Sequence, residues 1–281
     1  MTTVATALAD ARRRGVASLD AQLLLARLLA TTRTGLIAGD ERALTPAESS
    51  QWQDALERRL AGEPIAYLLG EKEFHGLGLE VDRAVLVPRP ETELLVDWAS
   101  EAIVALVRAR SSRGDPIRVL DLGTGSGAIG LALKHAHPEI DVTATDVSAS
   151  ALAVARRNAR RLDLAVEFVE GSWWQALENR QFDIALANPP YIAADDPHLA
   201  LLRHEPAVAL TPGGDGLGAL RAIVAGAAAP LRAGGWLLLE HGFAQAAAVR
   251  EMLADAGFTD VETRRDLAGH ERATGGRRPA P

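Results

Sequence analysis

The stretch Asp121-Leu122-Gly123-Thr124-Gly125-Ser126-Gly127 separates two apolar segments of different character. Val119-Leu120 before it predicts a buried strand, and the alanine- and leucine-rich residues 128–135 after it predict a helix. Glycines at such a junction allow a sharp turn and let a ligand approach the backbone closely. A strand, a glycine loop and a helix in this order are typical of the first unit of a cofactor-binding α/β sheet.

Asp146 ends the next predicted strand, 19 residues after the loop, where a carboxylate can accept hydrogen bonds from ribose hydroxyls. Two cofactors fit this arrangement. The glycines from Gly125 to Gly130 match the dinucleotide fingerprint. Those from Gly123 to Gly127, preceded by Asp121, match a loop for S-adenosylmethionine, whose cationic amino-acid end the acid would attract. The loop does not choose between them, and a turn without a ligand is disfavoured because loop, helix start and distal acid occur together.

Predicted strands and helices alternate from the loop to the end of the chain. Strands are predicted at 142–145, 165–169, 182–187 and 236–239, with late candidates at 258–263 and 272–278, and helices at 128–135, 149–162 and up to 256. Such alternation predicts a doubly wound α/β fold, a mainly parallel sheet with helices on both faces.

The chain before the sheet predicts a small helical domain over residues 1–70. Thr45-Pro46-Ala47-Glu48 is a helix start with a Thr cap, a proline at the first helical position and a glutamate three residues after the cap. Ser18 is predicted to cap another helix. Residues 71–88 contain alternating apolar residues and glycines and predict a β-hairpin linker. The sheet domain then covers 89–281, opening with a helix from Pro90 to near Arg110.

Asn188-Pro189-Pro190-Tyr191 follows the apolar strand at 182–187, which by order lies next to the first strand, where open sheets bind ligands. Two prolines make the backbone rigid and remove two N–H donors, so the Asn188 oxygen and nearby carbonyls remain as acceptors. Acceptors suit a planar –NH2 group, because holding its hydrogens aims the nitrogen lone pair and stabilises the developing positive charge. A rigid turn with a capping Asn188 is the alternative for an isolated motif.

The composition of the chain excludes some kinds of functional site and disfavours some partners. The chain has 281 residues, no cysteine and a formal net charge of −7. Absent cysteines exclude disulfides, thiolate metal sites and a cysteine nucleophile, and we expect no metal site. An acidic balance disfavours extended contact with nucleic acid phosphates. Met1 to Gly15 lack a signal peptide pattern and no stretch is long enough to span a bilayer, so a cytoplasmic protein without membrane contact is expected.

With these motifs the sequence resembles class I S-adenosylmethionine-dependent methyltransferases that modify exocyclic or amide nitrogens. Within them it resembles the protein-(glutamine-N5) methyltransferases that act on class I peptide-chain release factors. The resemblance covers essentially the whole chain. The residues that carry it are Glu73–Gly76, Val87–Glu93, Asp121–Gly127, Asn188–Tyr191, Glu205-Pro206 with Ala209-Leu210, and Glu240–Gly242.

The resemblance implies a seven-stranded Rossmann-like methyltransferase sheet, S-adenosyl-L-methionine as cofactor, and the glutamine of a Gly-Gly-Gln motif as the methylated residue. It implies that the protein partner is a class I release factor. Apart from the resemblance, we expect a monomer, and the acidic charge predicts no direct nucleic acid partner. Cofactor contacts are implied at Asp121, Gly123, Thr124, Gly125, Ser126, Gly127, Asp146, Trp173 and Asn188. Substrate contacts are implied at Asn188, Pro189, Pro190 and Tyr191, with Asn188, Pro189 and Tyr191 catalytic.

One position departs from the family pattern. Ser172 stands where such enzymes often carry an acid that meets the adenine amino group, and its hydroxyl can accept that bond more weakly. The alternatives are a ribosomal-protein glutamine methyltransferase, an N6-adenine or N2-guanine nucleic-acid methyltransferase, a nicotinamide-dependent oxidoreductase and a non-catalytic sensor of the cofactor. The sequence leaves open whether Arg89 and Glu91 line the site, and His241 is read as structural.

Overall fold

The computed structural model describes residues 1–109, 115–177 and 179–279. Its contacts divide the chain into two compact units, Met1–Lys72 and the residues from Glu73 onward. The first unit is helical. Its helices are α1 (Val4–Arg13), α2 (Ser18–Leu28), α3 (Arg33–Ala38), α4 (Pro46–Leu60) and α5 (Ile65–Leu69). They enclose an apolar core centred on the fully buried Leu25, Trp52 and Leu56.

Two predicted helix starts had different outcomes. Thr45 caps α4 as predicted: its hydroxyl accepts the Glu48 N–H, and the Glu48 carboxylate accepts the Thr45 N–H at 2.8 Å. The prediction that Ser18 caps α2 is wrong, because Ser18 is already the first helical residue and Ala17 occupies the cap position. Val16 and Ala21, which flank this start, are both buried in the helical core, and their burial sets where the chain enters the helix.

The predicted hairpin is present as β1 (Glu71–Phe74) and β2 (Leu77–Glu80). His75 and Gly76 make the turn with φ of 48° and 79°, the left-handed pair that a tight hairpin turn needs. After a 3₁₀ turn at Pro90–Thr92 comes α6 (Glu93–Ala109), and the predicted helix end near Arg110 lies outside the described residues. Glu93 in its first turn accepts the His75 N–H at 2.9 Å, which ties the hairpin to this helix.

The predicted mainly parallel sheet is confirmed, and within the described residues it has seven strands in the order β5-β4-β3-β6-β7-β9-β8. Of these seven, β9 alone runs in the direction opposite to the other strands. The strands are β3 (Arg118–Leu122), β4 (Asp141–Asp146), β5 (Glu167–Glu170), β6 (Phe182–Ala187), β7 (Leu231–Glu240), β8 (Thr259–Arg265) and β9 (Glu271–Arg277). The helices between them are α7 (Ala128–Ala136), α8 (Ala149–Leu162), α9 (Gly218–Gly226) and α10 (Ala246–Asp255).

Alternate residues of the central strands bury into two separate cores, as the period of two in a strand requires. Val119 of β3 and Ile184 of β6 face the core that contains residues of α6 and α7. Leu120 and Ala185 face the core that contains residues of α9 and α10. Burial on both faces explains why these strands read as continuous apolar runs in the sequence.

The chain order creates a crevice at one edge of the sheet. β3 pairs with β4 on one side and with β6 on the other, so the strand order reverses at β3. Ligands of open α/β sheets bind outside the carboxyl ends of the strands at such a reversal. The glycine loop and Asn188 follow β3 and β6, and Asp146 is the last residue of β4, so all three meet at this edge. In the parts of the chain that the structure describes, no helix is long and apolar enough to cross a membrane.

Candidate active site

The glycine loop is held open by bonds to the neighbouring strand. The N–H groups of Gly123 and Thr124 both donate to the Thr145 carbonyl at 2.8 Å. Gly123 and Gly125 have φ of 75° and 56°, and Gly127, with φ of 87°, starts α7. Glycine adopts these left-handed conformations readily, whereas other residues adopt them at a cost in free energy.

Asp121 lies beneath this loop, not on the surface that a ligand would meet. It is fully buried, and its Oδ2 accepts from the Thr124 hydroxyl at 2.6 Å and from the Gly130 N–H at 3.0 Å. Its Oδ1 has no hydrogen-bond partner. Burial raises the pKa of Asp121 to about 6, and the two bonds at Oδ2 oppose that shift. Asp121 therefore fixes the loop from below and places a carboxyl group under it.

Asp146, at the end of β4, is bonded to the loop across the crevice. Its Oδ2 accepts the Gly125 N–H at 2.9 Å, and its Oδ1 accepts the Ser148 N–H at 2.9 Å. Burial raises its pKa, and these two backbone donors oppose the rise. A carboxylate oxygen accepts more than one bond, so both oxygens retain capacity for hydroxyl groups of a ligand.

Trp173 and Ser172 follow β5 and line the same crevice. Trp173 has a left-handed backbone with φ of 47°, which is rare for a bulky side chain and often marks a functional position. A Cβ on Gly123 would lie 3.3 Å from the Trp173 ring, so a glycine at 123 is what lets the ring approach the loop this closely.

Asn188 is anchored through its amide nitrogen. Nδ2 donates to the hydroxyl of buried Thr92 at 3.0 Å, and no described residue donates to Oδ1. The oxygen is thus the atom of Asn188 that a ligand can use. Nearby, the Tyr191 hydroxyl donates to Glu240 Oε1 at 3.3 Å, and burial raises the Tyr191 pKa.

These elements surround a cavity of about 490 Å³, which suits a ligand of cofactor size. The predicted site residues that line it are Gly123, Thr124, Gly125, Ser126, Asp146, Ser172, Trp173, Asn188 and Pro190. The predicted residues that do not line it are Asp121, Gly127, Pro189 and Tyr191. Asp121 and Gly127 lie under the loop or at the start of α7, and the Tyr191 ring packs against the core on the α9 side.

Part of the cavity wall comes from the Arg89 to Glu93 segment, for which the sequence left open whether Arg89 and Glu91 line the site and gave Thr92 no role of its own. Arg89 lines the cavity, and its guanidinium pairs with the buried carboxylate of Glu205, which also accepts the Val87 N–H at 3.0 Å. Thr92 lines it too, whereas Glu91 does not. The Arg89 to Glu93 segment was visible as a motif, but only the folded chain brings Thr92 against Asn188, 96 positions away.

Glu240 is the last residue of β7 and His241 follows it, and both are buried. His241 Nδ1 lies 2.9 Å from the Gly242 carbonyl, and Nε2 lies 2.7 Å from the Thr274 hydroxyl. Burial lowers the His241 pKa, which favours the neutral ring, so Nδ1–H donates to the carbonyl and Nε2 accepts. Burial raises the pKa of Glu240 to about 7, while Thr92, Arg272 and Tyr191 lower it.

The cavity fits S-adenosylmethionine better than a dinucleotide. Gly125 lines the cavity, and no atom lies within 4 Å of the position that a Cβ atom on it would occupy. A side chain at residue 125 would therefore extend into the space for a ligand. The loop is underlain by a carboxyl group at Asp121 and faced by a second at Asp146. These two carboxyl groups suit the cationic amino-acid end and the ribose hydroxyls of S-adenosylmethionine. They would repel the pyrophosphate of a dinucleotide.

Comparison with known families gives two matches. A family model described as the PrmC N-terminal domain matches residues 2–70, and one described as the methyltransferase small domain matches residues 93–215. A release factor glutamine methyltransferase of Burkholderia pseudomallei is 49% identical, covering 98% of this chain and 97% of that protein. The enzyme of the same name from Pseudomonas aeruginosa is 46% identical, covering 98% of each chain.

Solved structures share the fold at low identity. The catalytic domain of hMettl16 in complex with a MAT2A 3′UTR hairpin has a TM-score of 0.58 and 16% identity, covering 87% of this chain and 88% of that one. The N-terminal domain of human METTL16 with SAH has a TM-score of 0.51 and 17% identity, covering 85% and 86%. At such identities the likeness concerns the fold alone.

Proposed function

The chain belongs to the family of release factor glutamine methyltransferases, S-adenosylmethionine-dependent enzymes that methylate protein, and from this premise we propose its target atom. We propose that it methylates the N5 side-chain amide of the glutamine in the Gly-Gly-Gln motif of class I release factors. The support is the acceptor set at Asn188, which suits a planar –NH2 group. We further propose that it acts in the cytoplasm as a monomer. Its net charge of −7 disfavours direct contact with nucleic acid, and we propose that it makes none.

The cofactor would be held by the residues that line the crevice. Gly123 to Ser126 would surround its amino-acid end, with the Asp121 carboxyl beneath as a source of negative potential. Asp146 would accept the ribose hydroxyls. Trp173 and Ser172 would meet the adenine, Ser172 through its hydroxyl. When bound, the cofactor supplies a sulfonium methyl group as the electrophile.

Asn188 and the rigid segment after it would orient the substrate amide. An amide nitrogen is a poor nucleophile because its lone pair is delocalised into the carbonyl group. The Asn188 oxygen and a carbonyl of Pro189 or Pro190 would accept its two N–H bonds and direct the nitrogen toward the methyl group. The same acceptors stabilise the positive charge that develops on nitrogen, and alignment supplies the rest of the catalysis. The proton leaves to water after transfer, so no general base is required.

An exocyclic amino group on a flipped base would present the same –NH2 geometry, which makes a nucleic-acid methyltransferase the second candidate. The acidic chain disfavours it, because binding many phosphates requires a basic surface. The sequence relatives are named for release factor glutamine. We propose the protein substrate for these two reasons.

The observation that carries the proposal is the anchoring of Asn188 Nδ2 by Thr92, which leaves the oxygen for the substrate. The test is incubation of the protein with methyl-labelled cofactor and separate pools of release factor, ribosomal protein, DNA and RNA. We expect label in the release factor pool. Label confined to DNA or RNA would refute the substrate assignment, and label in ribosomal protein would select the alternative glutamine substrate.

A further inference from the structure

One buried side chain of α8 connects the hairpin to the glycine loop. Asn158 is fully buried. Its Oδ1 accepts the Glu80 N–H at 2.7 Å, and its Nδ2 donates to the carbonyl groups of Glu80 at 3.0 Å and of Ser126 at 2.9 Å. Glu80 is the last residue of β2, whereas Ser126 belongs to the glycine loop and lines the cavity. The amide of Asn158 therefore joins these two segments.

The orientation of this amide is fixed by its three partners. The backbone N–H of Glu80 can only donate, so the oxygen of Asn158 must face it. The carbonyl groups of Glu80 and Ser126 can only accept, and each meets one hydrogen of the amide nitrogen. A leucine at this position would fill similar space but would leave all three backbone groups without this partner, which costs free energy inside a protein.

The segment that follows β2 is also held by α8 and then reaches the cavity. Arg157 Nη2 donates to Asp82 Oδ2 at 2.9 Å, and its Nε donates to Glu80 Oε2 at 3.1 Å. The other oxygen of Asp82 accepts the Ala84 N–H at 2.8 Å. Residues 84–86 line the cavity. Neighbouring residues of α8 thus hold two parts of the cavity wall, the 84–86 segment and the glycine loop.

We propose that Asn158 is a positioning residue for the cofactor, which fixes the glycine loop against the 84–86 segment in the arrangement that S-adenosylmethionine requires. The inference rests on the cofactor assignment of the proposed function. Asn158 does not line the cavity, so it acts through the Ser126 carbonyl and not by touching the cofactor.

The glycine loop needs such a restraint because of its composition. Glycines flank Ser126 on both sides, and a glycine backbone has access to conformations that other residues avoid. The N–H groups before Ser126 bond to Thr145 and Asp146, and Asn158 restrains the carbonyl group that follows them. A ligand binds more weakly in proportion as the arrangement that accepts it is less populated. Loss of the Asn158 bonds should therefore lower cofactor affinity.

The first test measures cofactor affinity by calorimetry in two variants, at a temperature at which both are folded. Asn158→Ala removes the link, and we expect the Kd for S-adenosylmethionine to rise about tenfold, as for a loop in the competent arrangement about a tenth of the time. Ile103→Ala truncates a fully buried side chain of α6 that does not line the cavity, and should leave the Kd unchanged. A wild-type Kd in Asn158→Ala, or an equal rise in both variants, overturns the proposal.

The second test uses the wild-type protein and follows hydrogen exchange by NMR. Glu80 does not line the cavity, but its N–H is bonded to Asn158, so ordering of the glycine loop by the cofactor should reach it. We expect saturating S-adenosylmethionine to slow exchange of the Glu80 N–H severalfold. The Arg118 N–H, which donates to Asp183 at 2.8 Å, is the control and should exchange at an unchanged rate. A Glu80 N–H that does not respond to the cofactor would contradict the link.

Failure of this inference differs from failure of the proposed function. A wild-type protein that does not bind S-adenosylmethionine would reject the cofactor assignment. The link is then measured in the cofactor-free protein, where Asn158→Ala should speed exchange of the Glu80 and Gly125 N–H groups and leave Arg118 unchanged. Unchanged exchange at Gly125, or faster exchange throughout the sheet, would refute a specific link between Asn158 and the loop.

Discussion

Asn188 is the residue on which the proposed transfer depends. Replacing it with alanine removes the acceptor that, in the proposed mechanism, meets the substrate nitrogen, where charge changes most in the transition state. We expect Asn188→Ala to lower the single-turnover rate by a factor of about 10²–10³, by analogy with the removal of one hydrogen-bonding group from an oxyanion hole. Asn188→Asp keeps an acceptor oxygen and should retain more activity than the alanine variant.

The measurement is a rate at saturating cofactor, with cofactor affinity determined separately by calorimetry. Affinity should change much less than the rate, because the loop and Asp146 are intact in both variants. An alanine variant that methylates at the wild-type rate would remove Asn188 from the chemistry.

The buried carboxyl group of Glu240 should make the free energy of unfolding depend on pH. Burial raises its pKa from 4.5 to about 7, so between these values the native state binds more protons than the unfolded chain. Its contribution to the free energy of unfolding is complete below about pH 4.5 and is lost as the pH rises through about 7. Glu240→Gln removes this dependence. The variant should gain stability relative to the wild type between pH 5 and pH 8, by about 1–3 kcal/mol.

Urea denaturation of both proteins at the two pH values measures this difference. The buried Asp121, whose pKa is raised to about 6, stays in both proteins and cancels in the comparison. A stability difference between variant and wild type that is the same at pH 5 and pH 8 would mean that Glu240 does not titrate in this window.

Sequence reasoning could find some site residues and not others for a physical reason. Asp146 and Asn188 stand at the ends of apolar strands, and strand ends are readable from local periodicity. Thr92 and Glu240 acquire their roles only from contacts between distant segments, 96 positions for the bond from Asn188 to Thr92 and 49 for the one from Tyr191 to Glu240. No local pattern encodes such a pairing.

At the scale of elements, the turn from β3 into α7 depends on Gly127. Its φ is 87°, and a Cβ there would lie 2.8 Å from Leu131 Cδ1 and 3.3 Å from Ala155 Cβ. Gly127→Ala combines backbone strain with overpacking, and we expect it to lower the free energy of unfolding by about 2–4 kcal/mol. Urea denaturation of the variant measures the loss.

Gly257 is the matched control, since it has a similar φ of 80° in the same unit and nothing within 4 Å of the added Cβ. Gly257→Ala should cost only the strain, about 1–2 kcal/mol. If the two alanine variants lose the same stability, packing behind the glycine loop is looser than this geometry requires.

Element prediction succeeded where periodicity was strong. The predicted bounds of β6 and α8 agree with the structure, because β6 is apolar except for Asp183 and α8 has a clear apolar face. α9 was missed, since it starts at Gly218 without a side-chain cap and has few polar residues to show a period. The segment between Tyr191 and α9 forms part of the cavity wall with little regular structure, which leaves no periodic signal to read.

At the scale of the whole chain, the residues to which we propose to assign methyl transfer all lie in the second unit, from Glu73 onward. The first unit exposes several large apolar side chains, among them Leu19, Ile37 and Leu60. We propose that this helical unit selects the protein partner. A protein starting near Gly70 should bind the cofactor as the full chain does, by calorimetry, and lose methylation of intact release factor. Full activity of the truncated protein on the intact factor would refute that role.

The central claim is that one particular amide nitrogen receives the methyl group. The direct measurement is mass spectrometry of a class I release factor after a single turnover with the wild-type protein, with fragmentation to locate the modification. We predict a single added methyl group on the side chain of the Gly-Gly-Gln glutamine, and none on a factor in which that glutamine is replaced by glutamate. A methyl group on another residue, or equal labelling of the glutamate variant, would contradict the account.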